Sequence, residues 1–317
     1  MKISVVIPAY NSSATIEATL GSVLRQTVQP DEILVLDDGS TDNTVEVLNS
    51  YKPRVTVLQQ KNRGVAHARN ALCQRAKGDI IAFLDHDDIW HPSYLETQCK
   101  IIGKHPSAVA YFTGHVNFQG TNDYIWDEPT AFGHLDYRCI EPDEFIKLYN
   151  KCPGPFGSMS FCCIPKRLLN EVGSEPFPVQ VSGADDYYIF NVLPRWGPVV
   201  FTPATLVAYR ESTGAQSADR LKGLGLAVRV FELLAGSRKG QPGREYAKIF
   251  TMAFASKRRQ YAKFLMGAGK ISEARMQLKY SLINAGGALS LVKSMGLLLA
   301  TYMPAPFQPR WPARLRE

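Results

Sequence analysis

The chain has 317 residues, 45% hydrophobic and 21% charged, the composition of an ordinary soluble protein long enough for one large α/β domain with an appendage. The net charge of +7 is unevenly spread: residues 1–217 carry 18 Lys and Arg against 24 Asp and Glu (net −6), and residues 218–317 carry 18 against 5 (net +13). Six cysteines show no CxxC pair and no secreted-domain spacing, and a chain that opens directly on a strand predicts no signal peptide, so reduced thiols and a cytoplasmic location are expected.

Residues 3–9 read as a first apolar strand, ended by Pro8 and Asn11. A helix is expected from about Ser13 to Arg25, with Ile16, Leu20, Val23 and Leu24 at helical spacing and Ser12 or Ser13 as N-cap. Strands at 33–36, 55–58 and 80–84 alternate with helices at 42–50 and 65–76, the sequence form of a doubly wound parallel sheet. A helix from Pro92 to about Gly103 and a strand at 108–112 follow. Residues 117–157, rich in Gly, Pro and aromatics, read as a long excursion rather than another strand–helix unit. Strands at 158–164, 198–201 and 206–209 and a helix from Tyr187 to about Arg195 complete this part; Cys162 and Cys163 fall in the first of these strands. Beyond Ala218 only helices are expected, near 219–235, 243–267, 271–285 and 288–302, and Tyr261–Asn284 has the look of one helix-turn-helix repeat unit.

Chemistry concentrates where Ile80-Ile81-Ala82-Phe83-Leu84 runs into Asp85-His86-Asp87-Asp88. Three carboxylates in four positions at the carboxyl end of a buried strand repel one another unless donors or a cation compensate them. A divalent metal is the simplest compensator, and a solvated acidic turn capping the next helix is the plain alternative. Asp37-Asp38-Gly39-Ser40 ends the second strand beside Pro8-Ala9-Tyr10-Asn11 of the first. A carboxylate there can accept a nucleobase N–H, and the backbone itself reads as an Asx turn with Gly39 at positive φ. Gly223-Leu224-Gly225 and Gly267-Ala268-Gly269-Lys270 lack the remaining residues of a dinucleotide fingerprint and of a P-loop, and nothing points to nucleic acid.

Five stretches occur in order: Ser4-Val5-Val6-Ile7-Pro8-Ala9-Tyr10-Asn11, Ser22-Val23-Leu24-Arg25-Gln26-Thr27, Glu32 to Asp42, Gly64-Val65-Ala66-His67-Ala68-Arg69-Asn70-Ala71, and the acidic strand end. Together they resemble the nucleotide-sugar-binding half of the family 2 glycosyltransferases, over roughly residues 1–105; the likeness loosens to about 217 and carries no family motif beyond. The resemblance implies the GT-A fold, a Rossmann-like α/β architecture with a mainly parallel sheet flanked by helices. It divides residues 1–217 into a nucleotide half (1–105) and an acceptor half (106–217), followed by a basic all-α region over 218–317.

By the same resemblance, Pro8, Ala9, Tyr10, Asn11, Asp37, Asp38, Arg69 and Asp85 belong to the nucleotide site, with Asp38 favoured for the base and Asp37 supporting it. Asp87 is assigned to Mg²⁺ or Mn²⁺, with Asp88 as metal support or turn cap. Asp185-Asp186 matches the family's Glu-Asp, with Asp186 as the base that deprotonates the acceptor hydroxyl and the shorter Asp185 as its support or an acceptor contact. Tyr209-Arg210 resembles the family's Tyr-Arg without the His that often follows, leaving Arg210 for the diphosphate or for acidic neighbours. The implied activity is metal-dependent, inverting transfer of a sugar from a nucleoside diphosphate donor, a uridine one favoured, to a hydroxyl of a cell-surface glycan or lipid-linked saccharide. The rivals are a nucleotidyltransferase that makes such a donor, whose glycine- and lysine-rich N-terminal loop is missing here, and a non-catalytic sugar-nucleotide or glycan binder. The basic tail, with Lys257-Arg258-Arg259 beside apolar positions, suits the anionic inner face of a membrane. The apolar run 294–303 is too short to span one.

Overall fold

The computed structural model describes residues 1–120, 123–126, 136–211, 220–236, 244–283, 285 and 287–302. The chain divides into two compact units, Met1–Ala215 and Gln216–Glu317. The domain boundary expected at residue 217, and the stretch 212–214 where the family's His was sought, lie outside the described residues.

The first unit contains strands β1 (Ile3–Ala9), β2 (Glu32–Asp37), β3 (Thr56–Gln59), β4 (Ile80–Phe83), β5 (Ile89–Trp90), β6 (Ala110–Phe118), β7 (Arg138–Ile140), β8 (Cys162–Pro165) and β9 (Val199–Arg210). Its helices are α1 (Ile16–Leu24), α2 (Thr44–Asn49), α3 (Val65–Arg75), α4 (Tyr94–Lys104), α5 (Pro142–Lys151), α6 (Lys166–Val172) and α7 (Asp185–Val192). They surround one sheet of order β3-β2-β1-β4-β8-β6-β9-β5, with β7 also on β9. All seven positions of β1 and all four of β4 are buried, as suits mostly apolar runs in strands paired on both edges.

The nucleotide half is parallel throughout, β1 pairing with β2 and β4, and β2 with β3. The second half departs from a doubly wound sheet, because β8 runs antiparallel between β4 and β6, while β5 and β7 run antiparallel to β9. The two strands expected at 198–201 and 206–209 are one, β9, whose register against β6 shifts at Thr113–His115. There Gly114 lets the Pro203 carbonyl approach to 2.5 Å of where a Cβ would stand. The expected excursion over 117–157 contains β7 and α5; α5 begins at Pro142 with Asp143 and Glu144 in its first turn and buries Phe145, Ile146 and Tyr149. Neither Ser12 nor Ser13 caps α1: the Ser12 carbonyl accepts the N–H groups of Thr15 and Ile16, and Thr15 is the capping position.

The second unit is helical, with α8 (Arg220–Gly236), α9 (Arg244–Gly267), α10 (Ile271–Ile283) and α11 (Ala288–Ala300). Ala262, Leu265, Ala274 and Leu278 form a buried cluster against which Leu221, Tyr261, Leu297 and Leu298 pack. Arg258 is buried, donating to Gln277 Oε1 at 2.7 Å and Glu232 Oε1 at 3.0 Å between the rings of Phe254 and Tyr280. Among the described residues no helix is long and apolar enough to cross a membrane.

Candidate active site

The carboxyl ends of β1, β2 and β4 lie together because β1 pairs with both neighbours, and that edge is where an open α/β sheet takes ligands. Ala9 stands opposite Asp37, and the Asp38 N–H donates to the Ala9 carbonyl at 2.8 Å. Pro8 and Ala9 are buried, while Tyr10 projects from the edge. Asn11, at φ 46°, donates its N–H to Ser40 Oγ at 2.9 Å and accepts the Thr41 N–H at 2.8 Å. The Asp37 carboxylate accepts the Ser40 N–H at 3.3 Å. Gly39 sits at φ 74°, where a Cβ would lie 2.7 Å from the Asn62 nitrogen, so the Asx turn needs glycine.

Asp38 is more heavily engaged than the sequence suggests. Its Oδ1 accepts from Gln60 Nε2 at 2.7 Å and from the Arg63 N–H at 2.9 Å, and its Oδ2 from the Gly64 N–H at 2.7 Å. A carboxylate has about four acceptor positions, so a ligand N–H is left with the remaining one. The same bonds fix the loop that leads into α3 and its Arg69.

At the end of β4 the acids diverge. Asp85 accepts from Arg69 Nη2 at 2.6 Å, and its N–H donates to Ser160 Oγ at 2.9 Å. Asp87 is partly exposed, and burial, with Asp85 adding its charge, raises its pKa. Asp88 is fully buried: Oδ1 accepts the Arg210 N–H at 2.9 Å, whereas Oδ2 has no hydrogen-bond partner. Burial first, then Asp87 and Asp85, push the Asp88 pKa well above the usual carboxylate range. Arg210 donates through Nε to the Asp87 carbonyl at 2.7 Å and lies 4.3 Å above the Phe118 ring. These contacts to the acidic turn run through the Asp87 carbonyl and, from the Arg210 backbone, through the Asp88 carboxylate.

Arg69 joins the two halves of the site. Its Nη1 donates to Asp185 Oδ2 at 2.6 Å, 116 residues later, as its Nη2 does to Asp85. Burial alone would lower the pKa of this guanidinium, but Asp185, Asp85 and Asp186 outweigh it and hold the group protonated. Asp185 is fully buried and also accepts the Gly183 N–H at 3.0 Å. Asp186, next on α7, keeps some solvent access, and one oxygen accepts the Tyr187 N–H at 2.6 Å. Burial and the neighbouring Asp185 push its carboxyl up to about 7, against the pull of Arg69.

Several positioning residues escaped the sequence reading. Thr19 Oγ1 donates to the Asp88 carbonyl at 2.9 Å and lies 3.0 Å from the His86 carbonyl, while Ser22 Oγ accepts the Trp90 N–H at 3.2 Å. Gln26 bridges the His91 carbonyl and the Leu95 N–H. The signal was there: Thr19 and Ser22 stand three apart on the face of α1 that also buries Ile16, Leu20 and Val23, and Gln26 follows four residues on, just past the helix end. Ser182 Oγ, from the loop before α7, accepts the Ala66 N–H in the first turn of α3 at 3.3 Å, and no local pattern announces it.

A divalent ion fits this edge in one way. Among the described residues no three His, Cys, Asp or Glu side chains converge as a protein-built metal cage. Asp87, partly exposed, suits an ion that takes one protein carboxylate and completes its shell with ligand phosphates and water.

Comparison with known proteins places this geometry. The family described as Glycosyl transferase family 2 matches over residues 4–172. Two Escherichia coli proteins, each named a UDP-Glc:alpha-D-GlcNAc-diphosphoundecaprenol beta-1,3-glucosyltransferase, are similar: WfaP at 42% identity over 228 residues, covering 70% of this chain and 82% of the relative, and WfgD at 41% over 192, covering 59% and 68%. The chondroitin synthase of Pasteurella multocida is 39% identical over 134 residues, 40% of this chain and only 14% of that much longer protein. Among solved structures, S. aureus TarS 1–349 in complex with UDP-GlcNAc superposes with a TM-score of 0.65 at 15% identity, over 95% of this chain and 90% of that one. The Pyrobaculum calidifontis mannosyltransferase PcManGT, in complex with GDP-Man and Mn²⁺, gives 0.55 at 20%, over 96% and 81%. At these identities the structural likenesses establish the expected GT-A fold and no more.

Proposed function

Because the chain belongs to glycosyl transferase family 2, we propose that it transfers a hexose from a UDP-sugar to a hydroxyl of a lipid-linked saccharide, with inversion and with Asp186 as general base. The donor and acceptor classes rest on the printed names of WfaP and WfgD. The observation that carries the catalytic assignment is the Arg69 bridge: one guanidinium holds Asp85, at the nucleotide edge, and Asp185, so that Asp186 on the same helix stands beside the donor end.

In this reading the base rests against Asp38 and the ends of β1 and β2, and Asp85 faces the ribose. Asp87 would hold Mg²⁺ or Mn²⁺, which when bound would supply positive charge to the departing diphosphate. Asp186 accepts the acceptor proton as the acceptor oxygen bonds to the anomeric carbon from the face opposite the departing diphosphate, which leaves with the bonding electron pair. A carboxyl poised near neutral pH suits a general base better than an ordinary Asp does. Asp185 and Arg69 position it, and Arg210 and Asp88 fix the turn that carries Asp87.

The test is a thermal-shift series with UDP, UDP-Glc, UDP-GlcNAc and GDP-Man, each with and without Mn²⁺. A ligand at about 100 times its Kd stabilises by about 2.7 kcal/mol. UDP and one UDP-sugar should shift the transition with Mn²⁺, GDP-Man should not, and transfer to a diphosphoundecaprenol-linked acceptor should follow the same donor. No nucleotide-dependent shift at all would end this reading.

A further inference from the structure

Helix α11 carries its apolar residues on the wrong side. A surface helix normally turns aliphatic residues inward and polar ones to water. Here Ser290 and Ser294 are buried, and Thr301 just beyond the helix is buried too. Arg259 Nη1 donates to Ser290 Oγ at 2.7 Å and to Ser294 Oγ at 3.2 Å, and the Ser294 and Ser281 hydroxyls are 2.8 Å apart. Arg275 Nη2 donates to the Thr301 carbonyl at 2.7 Å. This polar seam, with Leu297 and Leu298, docks the helix on its own unit. The outward side instead shows Leu289, Leu291, Val292, Met295, Leu299 and Tyr302, recurring at helical spacing, with Leu289 70%, Val292 64% and Leu299 65% exposed.

We propose that the outward apolar face of α11 is a docking surface for an anionic phospholipid bilayer, in which the helix lies flat at the headgroup boundary. Charge selects this occupant. The Gln216–Glu317 unit carries 18 Lys and Arg against 5 Asp and Glu. A second copy seated face to face would therefore bring two strongly positive surfaces together, whereas an anionic leaflet attracts one. Exposed Lys279 and Lys293 supply cations at the surface of α10 and α11. By contrast, Arg258 and Arg259 of the basic triplet read from sequence turn inward, to Gln277, Glu232 and the serine seam, and are not the lipid contacts. With 13 residues and one lysine, α11 cannot cross a bilayer, and an exposed apolar helix face on a strongly basic unit suits an interfacial helix.

Flotation of the full chain with vesicles tests this without donor or acceptor, so its outcome is independent of the reading of the active site. The chain should float with phosphatidylcholine–phosphatidylglycerol vesicles and not with phosphatidylcholine alone. The double variant Val292→Ser, Leu299→Ser changes no charge and alters exposed positions only; it should keep the wild-type melting temperature and UDP-induced shift while losing at least about tenfold in vesicle affinity. Undiminished binding by that variant, or wild-type binding indifferent to anionic lipid, would overturn the proposal. So would sedimentation showing a wild-type oligomer that the variant abolishes while vesicle binding stays unchanged.

Discussion

Replacing Asp186 by Asn separates its chemistry from its electrostatics. The folded protein raises this carboxyl from 3.8 to about 7, through burial first and the Asp185 charge second. A pKa raised in the folded state means that folding favours the protonated acid. The stabilisation is full below the unfolded value near 3.8 and is lost as pH rises through about 7. A shift of about three units sets an upper limit of about 4 kcal/mol, and water at the partly exposed carboxyl brings the expected effect to about 1–3 kcal/mol. Asn keeps the oxygen that accepts the Tyr187 N–H and carries no charge. Asp186→Asn should therefore be more stable than wild type at pH 8, with the gap closing towards pH 4.5. The wild-type rate should climb with pH up to about 7, falling about tenfold per unit below it, while the variant loses about 10²–10⁴-fold in transfer and retains UDP affinity. Urea denaturation at the two pH values, calorimetry with UDP, and a pH profile of single-turnover transfer read these effects. Near-normal transfer by Asp186→Asn, or a stability difference that grows towards acid pH, would refute the assignment.

Arg69→Leu leaves Asp85 and Asp185 without their shared cation and should cost about 3–5 kcal/mol, and Arg69→Lys, which cannot span both at 2.6 Å, should recover only part of it by chemical denaturation. Asp87→Ala should abolish the Mn²⁺ dependence of the UDP-induced thermal shift with little loss of stability, because its carboxylate is partly exposed. Asp88→Ala should do the reverse, lowering stability by about 1–3 kcal/mol through the buried Arg210 N–H it strands, while an Mn²⁺-dependent shift persists. Equal behaviour of these two variants in both assays would contradict the separation of their roles.

What the sequence yields and what it withholds differ by the range of the interaction. The strands and helices of the nucleotide half were legible because hydrophobic period and turn chemistry are local, and β1, β2 and β4 lie within a few residues of expectation. Helix α5 was missed although Pro142, Asp143 and Glu144 are ordinary starting residues, because the surrounding Gly, Pro and aromatic residues drowned its short apolar stripe. The candidate acids were all nameable from sequence, yet their order was not, since each partner comes from far along the chain. Asp88 meets the N–H of Arg210, and Asp185 meets Arg69, at separations of 122 and 116 residues. The pair Asp185-Asp186 makes the physical point. Consecutive side chains on a helix point about 100° apart, so the two cannot share one environment. Once Arg69 claims Asp185, Asp186 is left with a low-dielectric setting and its neighbour's charge, and these push its carboxyl towards neutral pH while it keeps some access to solvent. The different settings of the two acids therefore follow from the helix geometry and one distant arginine, and the dipeptide by itself could not have said which was which.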